Sequence, residues 1–201
     1  MMENLIENAK AFAKDIFSSD SSGHDYHHTL RVHALACTIA EAEGADISLV
    51  ELAALLHDVD DHKLSPDTAE NKDRAVSFLR SQAVAEADIQ KIVRIIGQIS
   101  FSRNTLPPDT LEAKCVQDAD RLDAMGAIGI ARTFAFGGSH SRPIHDPTGA
   151  DLSTSIAHFY EKLLLLKDRM NTETGRRLAQ HRHEFLQTYL AEFLSEWEGE
   201  C

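Results

Sequence analysis

Cysteine is scarce and irregularly placed in this chain of 201 residues: Cys37, Cys115 and Cys201 are odd in number, and no two form a C-x-x-C pair. Neither a disulfide framework nor a cysteine-built zinc knuckle is indicated, and a reducing cytoplasm fits such usage best. Long apolar runs are missing as well. Nowhere do about 18 consecutive apolar residues occur, so no membrane-spanning helix is expected. The N-terminal stretch MMENLIENAKAFAKDIF lacks the positively charged start of a signal sequence and carries the apolar spacing of an amphipathic helix instead. No Pro/Gly/Ser-rich linker and no internal repeat breaks the chain, so one domain over 1–201 is expected, as monomer or homodimer. Positive charge is in deficit, with 20 Lys and Arg against 32 Asp and Glu and a net charge of -12. That balance argues against a nucleic-acid polymer, whose binding rests on many Lys/Arg contacts, but leaves room for a small anionic substrate beside a bound cation.

What is present is helical periodicity. Leu5, Ala9, Phe12 and Ile16 form one apolar stripe; Leu49, Leu52, Ala53 and Leu56 a second; Ile89, Ile92, Val93 and Ile96 a third; Phe185, Tyr189, Phe193 and Trp197 a fourth. No segment alternates strictly between apolar and polar residues. Asp46 and Thr68 are candidate N-caps, and Pro107-Pro108-Asp109 is placed to open the helix that carries Asp120. The expected fold is an all-α bundle. One irregular stretch, residues 137–149, has the composition of a lid or binding loop, and equally of an ordinary surface connection.

Against this background four side chains stand out as candidate metal ligands: His28, the adjacent His57 and Asp58, and the distant Asp120. His57 and Asp58 end the apolar run VELAALL, where a buried helix gives out. An isolated His-Asp pair is also what a polar helix end produces, so the pair alone decides little. His28 lies in the cluster His24 to Val32, with Arg31 three residues on and on roughly the same helical face. His24 and His27 read as a solvated helix start. Asp118 and Asp123 flank Asp120 at spacings that no single helical face buries together, which suits exposed charge or groups that orient the imidazoles.

The ordered set H-x-x-R-V (His28, Arg31, Val32), H-D-x-x-D-x-K (His57, Asp58, Asp61, Lys63) and D-A-D-R-L-D-A-x-G-A-I-G-I-A-R resembles the HD-domain superfamily of metal-dependent phosphohydrolases. With the late H-F-Y-E-K-L-L-x-L-K-D segment, it is similar to the small YedJ/YpgQ-like bacterial branch over nearly the whole chain. The resemblance implies a single-domain helical bundle of the HD-domain type that binds one divalent ion through His28, His57, Asp58 and Asp120. It also implies hydrolysis of a phosphate ester or anhydride, with nucleotide pyrophosphohydrolase activity, (d)NTP to (d)NMP and pyrophosphate through a metal-activated water, as the nearest chemistry. A 5'-nucleotidase, a dNTP triphosphohydrolase and a non-catalytic nucleotide-binding module are the alternatives. Two-metal relatives add histidines between the H-D pair and the last Asp; here that interval holds only His62, so a mononuclear site is expected.

Two imidazoles and two carboxylates leave two positions on an octahedral ion, one for water and one for a phosphate oxygen. This donor set favours Mn, with Ni, Co or Fe as alternatives, over tetrahedral Zn and over Mg, which avoids imidazole. If the helix continues past His57, Asp61 projects beside the ligands as general base. Lys63 suits a point charge on a phosphate. Arg31, Arg103 and Arg121 are further candidate phosphate contacts, and Asp60 and His62 read as bystanders.

Overall fold

The computed structural model describes residues 2–17, 25–60, 67–99 and 107–200. Among them every regular element is helical, as the periodicity predicts: α1 Met2–Phe17, α2 Tyr26–Glu43, α3 Ile47–Leu56, α4 Asp73–Ser81, α5 Glu86–Gly97, α6 Leu111–Asp123, α7 Gly126–Ser139, α8 Ser155–Glu161 and α9 Glu173–Glu198, with 3-10 turns at Leu163–Leu165 and Lys167–Arg169. No helix in these segments is long and apolar enough to cross a membrane. The chain divides into two compact units, Met1–Asp120 and Arg121–Cys201.

The first unit is organised around α3. Asp46 caps it as expected, its carboxylate accepting from Ser48 N at 3.0 Å and Leu49 N at 3.4 Å. From Leu52 to Leu56 every side chain is buried, because α1, α2 and α5 all pack against this helix. Burial of Leu52, Leu55 and Leu56 contributes about 2 kcal/mol each by transfer alone. The α1 stripe sits one residue off its predicted register: Ile6, Ala9, Ala13 and Phe17 are buried, while Leu5, Phe12 and Ile16 lie at the margin. Phe12 is occupied there by a stacked ring contact with Phe78 at 4.6 Å. In α5, Ile95 takes the inner position predicted for Val93, which is half-buried.

Helix α4 departs furthest from expectation. Thr68 does not cap it; the helix starts at Asp73, behind Lys72 in the left-handed region (φ 58) with no capping side chain of its own. The exposed amides are taken by Asp60, whose two carboxylate oxygens accept from Arg74 N at 3.1 Å and Ala75 N at 3.0 Å. Lys72 Nζ also donates to the Asp60 carbonyl at 3.4 Å. Asp60 is fully buried and is no bystander: it ties the turn after the H-D pair to the start of α4.

In the second unit α7 packs on α8 and α9 around a ring cluster of Phe134, Phe159, Tyr189 and Phe193, with centroid separations of 5.9 to 6.5 Å. The buried aliphatic residues of α9 are Ala179, Leu186 and Leu190; Phe185, predicted inward, is 46% exposed, and so nearly is Trp197 at 45%. Tyr189 and Phe193 are half-buried. The irregular stretch begins later than predicted, since α7 runs to Ser139 and includes Gly137. A Cβ at Gly137 would stand 2.3 Å from Ser155 Oγ, so glycine here serves close packing and not a turn. The following segment is held by its own hydrogen bonds, Ser155 N to Pro143 O at 2.9 Å and Ile156 N to Ile144 O at 3.0 Å.

Gly126 opens α7 at φ +67, and a Cβ there would lie 3.2 Å from Arg182 Cγ. Gly126→Ala is expected to cost about 1–2 kcal/mol, from left-handed strain that alanine cannot relieve. Chemical denaturation should show a lower midpoint at unchanged slope.

Candidate metal centre

Three chain segments far apart in sequence deliver the site. Asp25 caps α2, accepting from His28 N at 2.7 Å, and this sets His28 in the first turn with 1% exposure. His57 is the C-cap of α3, directly after the buried Leu56, and Asp58 follows in the turn. Asp120 stands in the last turn of α6, a helix that starts where Pro107-Pro108 suggests, with Thr110 Oγ1 accepting from Ala113 N at 3.1 Å.

These side chains converge. Asp58 Oδ2 lies 3.2 Å from His57 Nε2 and 3.5 Å from His28 Nε2; Asp120 Oδ1 lies 3.5 Å from His28 Nε2. Donors bound to one ion at about 2.1 Å in neighbouring positions sit about 3–3.5 Å apart, so the spacing suits a shared cation. One donor atom each from His28, His57 and Asp120 falls within 4.8 Å of the others. The ring of His57 is oriented for ligation. Its Nδ1 lies 2.7 Å from the Ala54 carbonyl, which only accepts, so Nδ1 carries a proton and Nε2 faces the carboxylates. Nε2 is buried and has no partner of hydrogen-bonding geometry, an orphaned atom that a metal ion would satisfy.

Without an ion the site holds a proton instead. Burial opposes charge on His57, but Asp58, Asp120 and the Ala54 carbonyl outweigh it and push the imidazole up to about 9. Because the folded value lies above the ordinary 6.5, this group adds stability to the metal-free protein that is complete below 6.5 and is lost as pH rises through about 9. Metal must displace that proton. Apparent affinity is expected to climb by up to about tenfold per pH unit between pH 7 and 9, with proton release. Isothermal titrations in two buffers of different ionisation enthalpy check this; an affinity flat across that range would contradict it.

Of the other predicted site residues, Arg31 is half-buried one turn from His28 on α2. Arg121 follows Asp120, and its Nη1 donates to the Arg169 carbonyl in the second unit. Asp61, Lys63, Arg103 and His62 lie outside the described residues. The helical extension invoked for Asp61 does not occur, since α3 ends at Leu56 and residues 57–60 form a turn. His27 is exposed, as read. Asp118 and Asp123, which read equally as exposed charge or as groups that orient the imidazoles, are both buried, while Asp120 between them keeps 28% of its side chain exposed, as the spacing of the three acids requires. Arg132 Nη1 meets Asp123 Oδ2 at 2.8 Å, which pairs the buried charge. Asp60 reads as a bystander in the sequence; it stands 13 residues before the start of α4, beyond the range of any local capping signal, so only the tertiary packing reveals its role.

Fold and site together define a class of enzyme. The chain belongs to the HD-domain family, which its residues 25–125 match, and it is a metal-dependent phosphohydrolase of that superfamily. Similar proteins occur in bacteria. It is 42% identical over 201 residues to the uncharacterized protein YpgQ of Bacillus subtilis, covering 96% of this chain and 94% of that protein. The crystal structure of an HD-superfamily hydrolase from Bacillus thuringiensis superposes with a TM-score of 0.84 at 41% identity, over 98% of this chain and 99% of that one. A crystal structure of B. subtilis YpgQ in complex with ADP gives a TM-score of 0.84 at 38% identity over 98% and 96% of the two chains.

Proposed function

We propose that the protein is a mononuclear nucleotide pyrophosphohydrolase that converts a (d)NTP to the (d)NMP and pyrophosphate. The observation that carries this reading is the convergence of two imidazoles and two carboxylates within 3.2–3.5 Å contacts at one point. The complex of YpgQ with ADP supports a nucleotide as the substrate. His28, His57, Asp58 and Asp120 would hold one divalent ion, with Mn first by donor chemistry and Ni, Co or Fe as alternatives. When bound, such an ion supplies Lewis-acid activation of water and neutralisation of phosphoryl charge.

The residues do the rest. In hydrolysis the oxygen of water bonds to the α-phosphorus, the bond from that phosphorus to the bridging oxygen breaks, and pyrophosphate leaves with the bond's electrons. Asp61 accepts the proton that water gives up. Lys63, Arg31 and Arg103 oppose the phosphate charges, and Arg121 beside Asp120 is the fourth candidate for that role. The Ala54 carbonyl holds the His57 ring in the ligating tautomer. The whole of 1–201 serves as one HD-type functional domain, supported by relatives that match over nearly the full chain.

A screen of chelator-stripped protein tests this, with Mn, Co, Ni, Mg or Zn added back against nucleoside mono-, di- and triphosphates and products identified by mass. Monophosphate with pyrophosphate is expected under Mn. Nucleoside with intact triphosphate, or nucleoside with orthophosphate from a monophosphate, would replace the proposed bond with another.

A further inference from the structure

We propose that His33, Cys37 and Glu51 form a second, sulfur-containing site for a thiophilic divalent ion of the zinc type, separate from the His28, His57, Asp58 and Asp120 cluster. His33 and Cys37 are one turn apart on α2, so both side chains lie on one helical face. Glu51 reaches them from the neighbouring α3. The three donor atoms fall within 4.8 Å of one another, and all three residues are half-buried. His33 Nε2 lies 3.5 Å from Glu51 Oε1 and 3.7 Å from Cys37 Sγ. Tetrahedral zinc with ordinary bond lengths places nitrogen and oxygen donors about 3.4 Å apart, and nitrogen and sulfur donors about 3.6 Å apart. The side chains already stand near those separations.

Donor chemistry separates this site from the first. The His28 cluster offers only nitrogen and oxygen, whereas a thiolate selects zinc-like ions over Mn and Mg. Burial first, and then the negative charges of Glu51 and Glu41, push the Cys37 thiol up to about 11, and those two carboxylates favour a cation beside it. Lys10 is the opposing charge, and Glu7 engages its ammonium at 2.8 Å. Three protein ligands leave a fourth position for water. His33 follows His28 by five residues, about 7.5 Å along the α2 axis, and turns to a different face. An ion here would staple α2 to α3, the helices that carry His28 and His57.

Cobalt reports this site selectively, because only a thiolate ligand gives a sulfur-to-cobalt charge-transfer band in the near ultraviolet. Reduced, chelator-stripped protein is titrated with Co2+ under argon. A band saturating within about two equivalents, the His28 cluster taking up the other cobalt without such a band, is expected in wild type and in Cys115→Ser, bleached when Zn2+ displaces cobalt, and absent in Cys37→Ser. His33→Ala and Glu51→Ala keep the thiol and should raise the Co2+ needed for half-saturation by about tenfold or more, which decides the matter should Cys37→Ser fail to fold. No band in wild type at saturating Co2+, a band that persists in folded Cys37→Ser, or unchanged half-saturation in both other variants would overturn the site.

Discussion

Asp58→Ala protein, stripped and incubated with Mn2+, is expected to lose the N/O-site ion and to fall in turnover by about three orders of magnitude or more. Asp58 is the hub of the cluster, since its Oδ2 approaches both imidazoles, at 3.2 and 3.5 Å. Removing it leaves His57 and His28 with Asp120 alone, an incomplete set for a six-coordinate ion. The variant also removes a carboxylate that holds the His57 imidazole at about 9, so the metal-free protein should titrate closer to an ordinary histidine. Asp61→Ala supplies the contrast: activity lost, ion retained. Metal analysis beside single-turnover kinetics separates the two. Full turnover by metal-free Asp58→Ala protein would sink the mechanism.

Asp60→Ala is expected to destabilise the fold by about 2–3 kcal/mol, since two α4 amides lose a buried acceptor and no capping side chain replaces it. For a chain of this size that lowers the melting temperature by about 4–12 °C. Asp60→Asn keeps a single acceptor oxygen and should recover part of the loss. Calorimetry of the three proteins decides, and an alanine variant as stable as wild type would remove Asp60 from the account. Because Asp60 closes the turn that begins at His57, the alanine variant should also weaken metal binding, by about tenfold, in the range seen when residues supporting ligands are removed.

Much of the fold was legible along the chain because helical periodicity is a short-range signal. The all-α class, the Asp46 cap and the start of α6 near Pro107-Pro108 all came from residues a turn or two apart. Register was harder. Leu5, Phe12 and Ile16 are as apolar as Ile6 and Phe17, and only the shape of the neighbouring helices chose which were enclosed. For a related reason the chain alone leaves Asp118 and Asp123 open between exposed charge and enclosed, orienting groups. A helix packed on one side exposes its remaining charges, but here both acids are enclosed, and Arg132 from α7 pairs the latter.

The sequence by itself determined which chemistry is available: two histidines and two aspartates in a fixed order, each placed at or near a helix end by local capping and apolar runs. The tertiary structure alone decided that these four are linked by contacts of 3.2–3.5 Å, that the Ala54 carbonyl turns His57 Nε2 toward the carboxylates, and that Asp60 locks the adjoining turn. The physical reason is one of range. Helix formation depends on neighbours along the chain, whereas a ligand cluster depends on the packing of α2, α3 and α6, whose contributing residues are up to 92 positions apart.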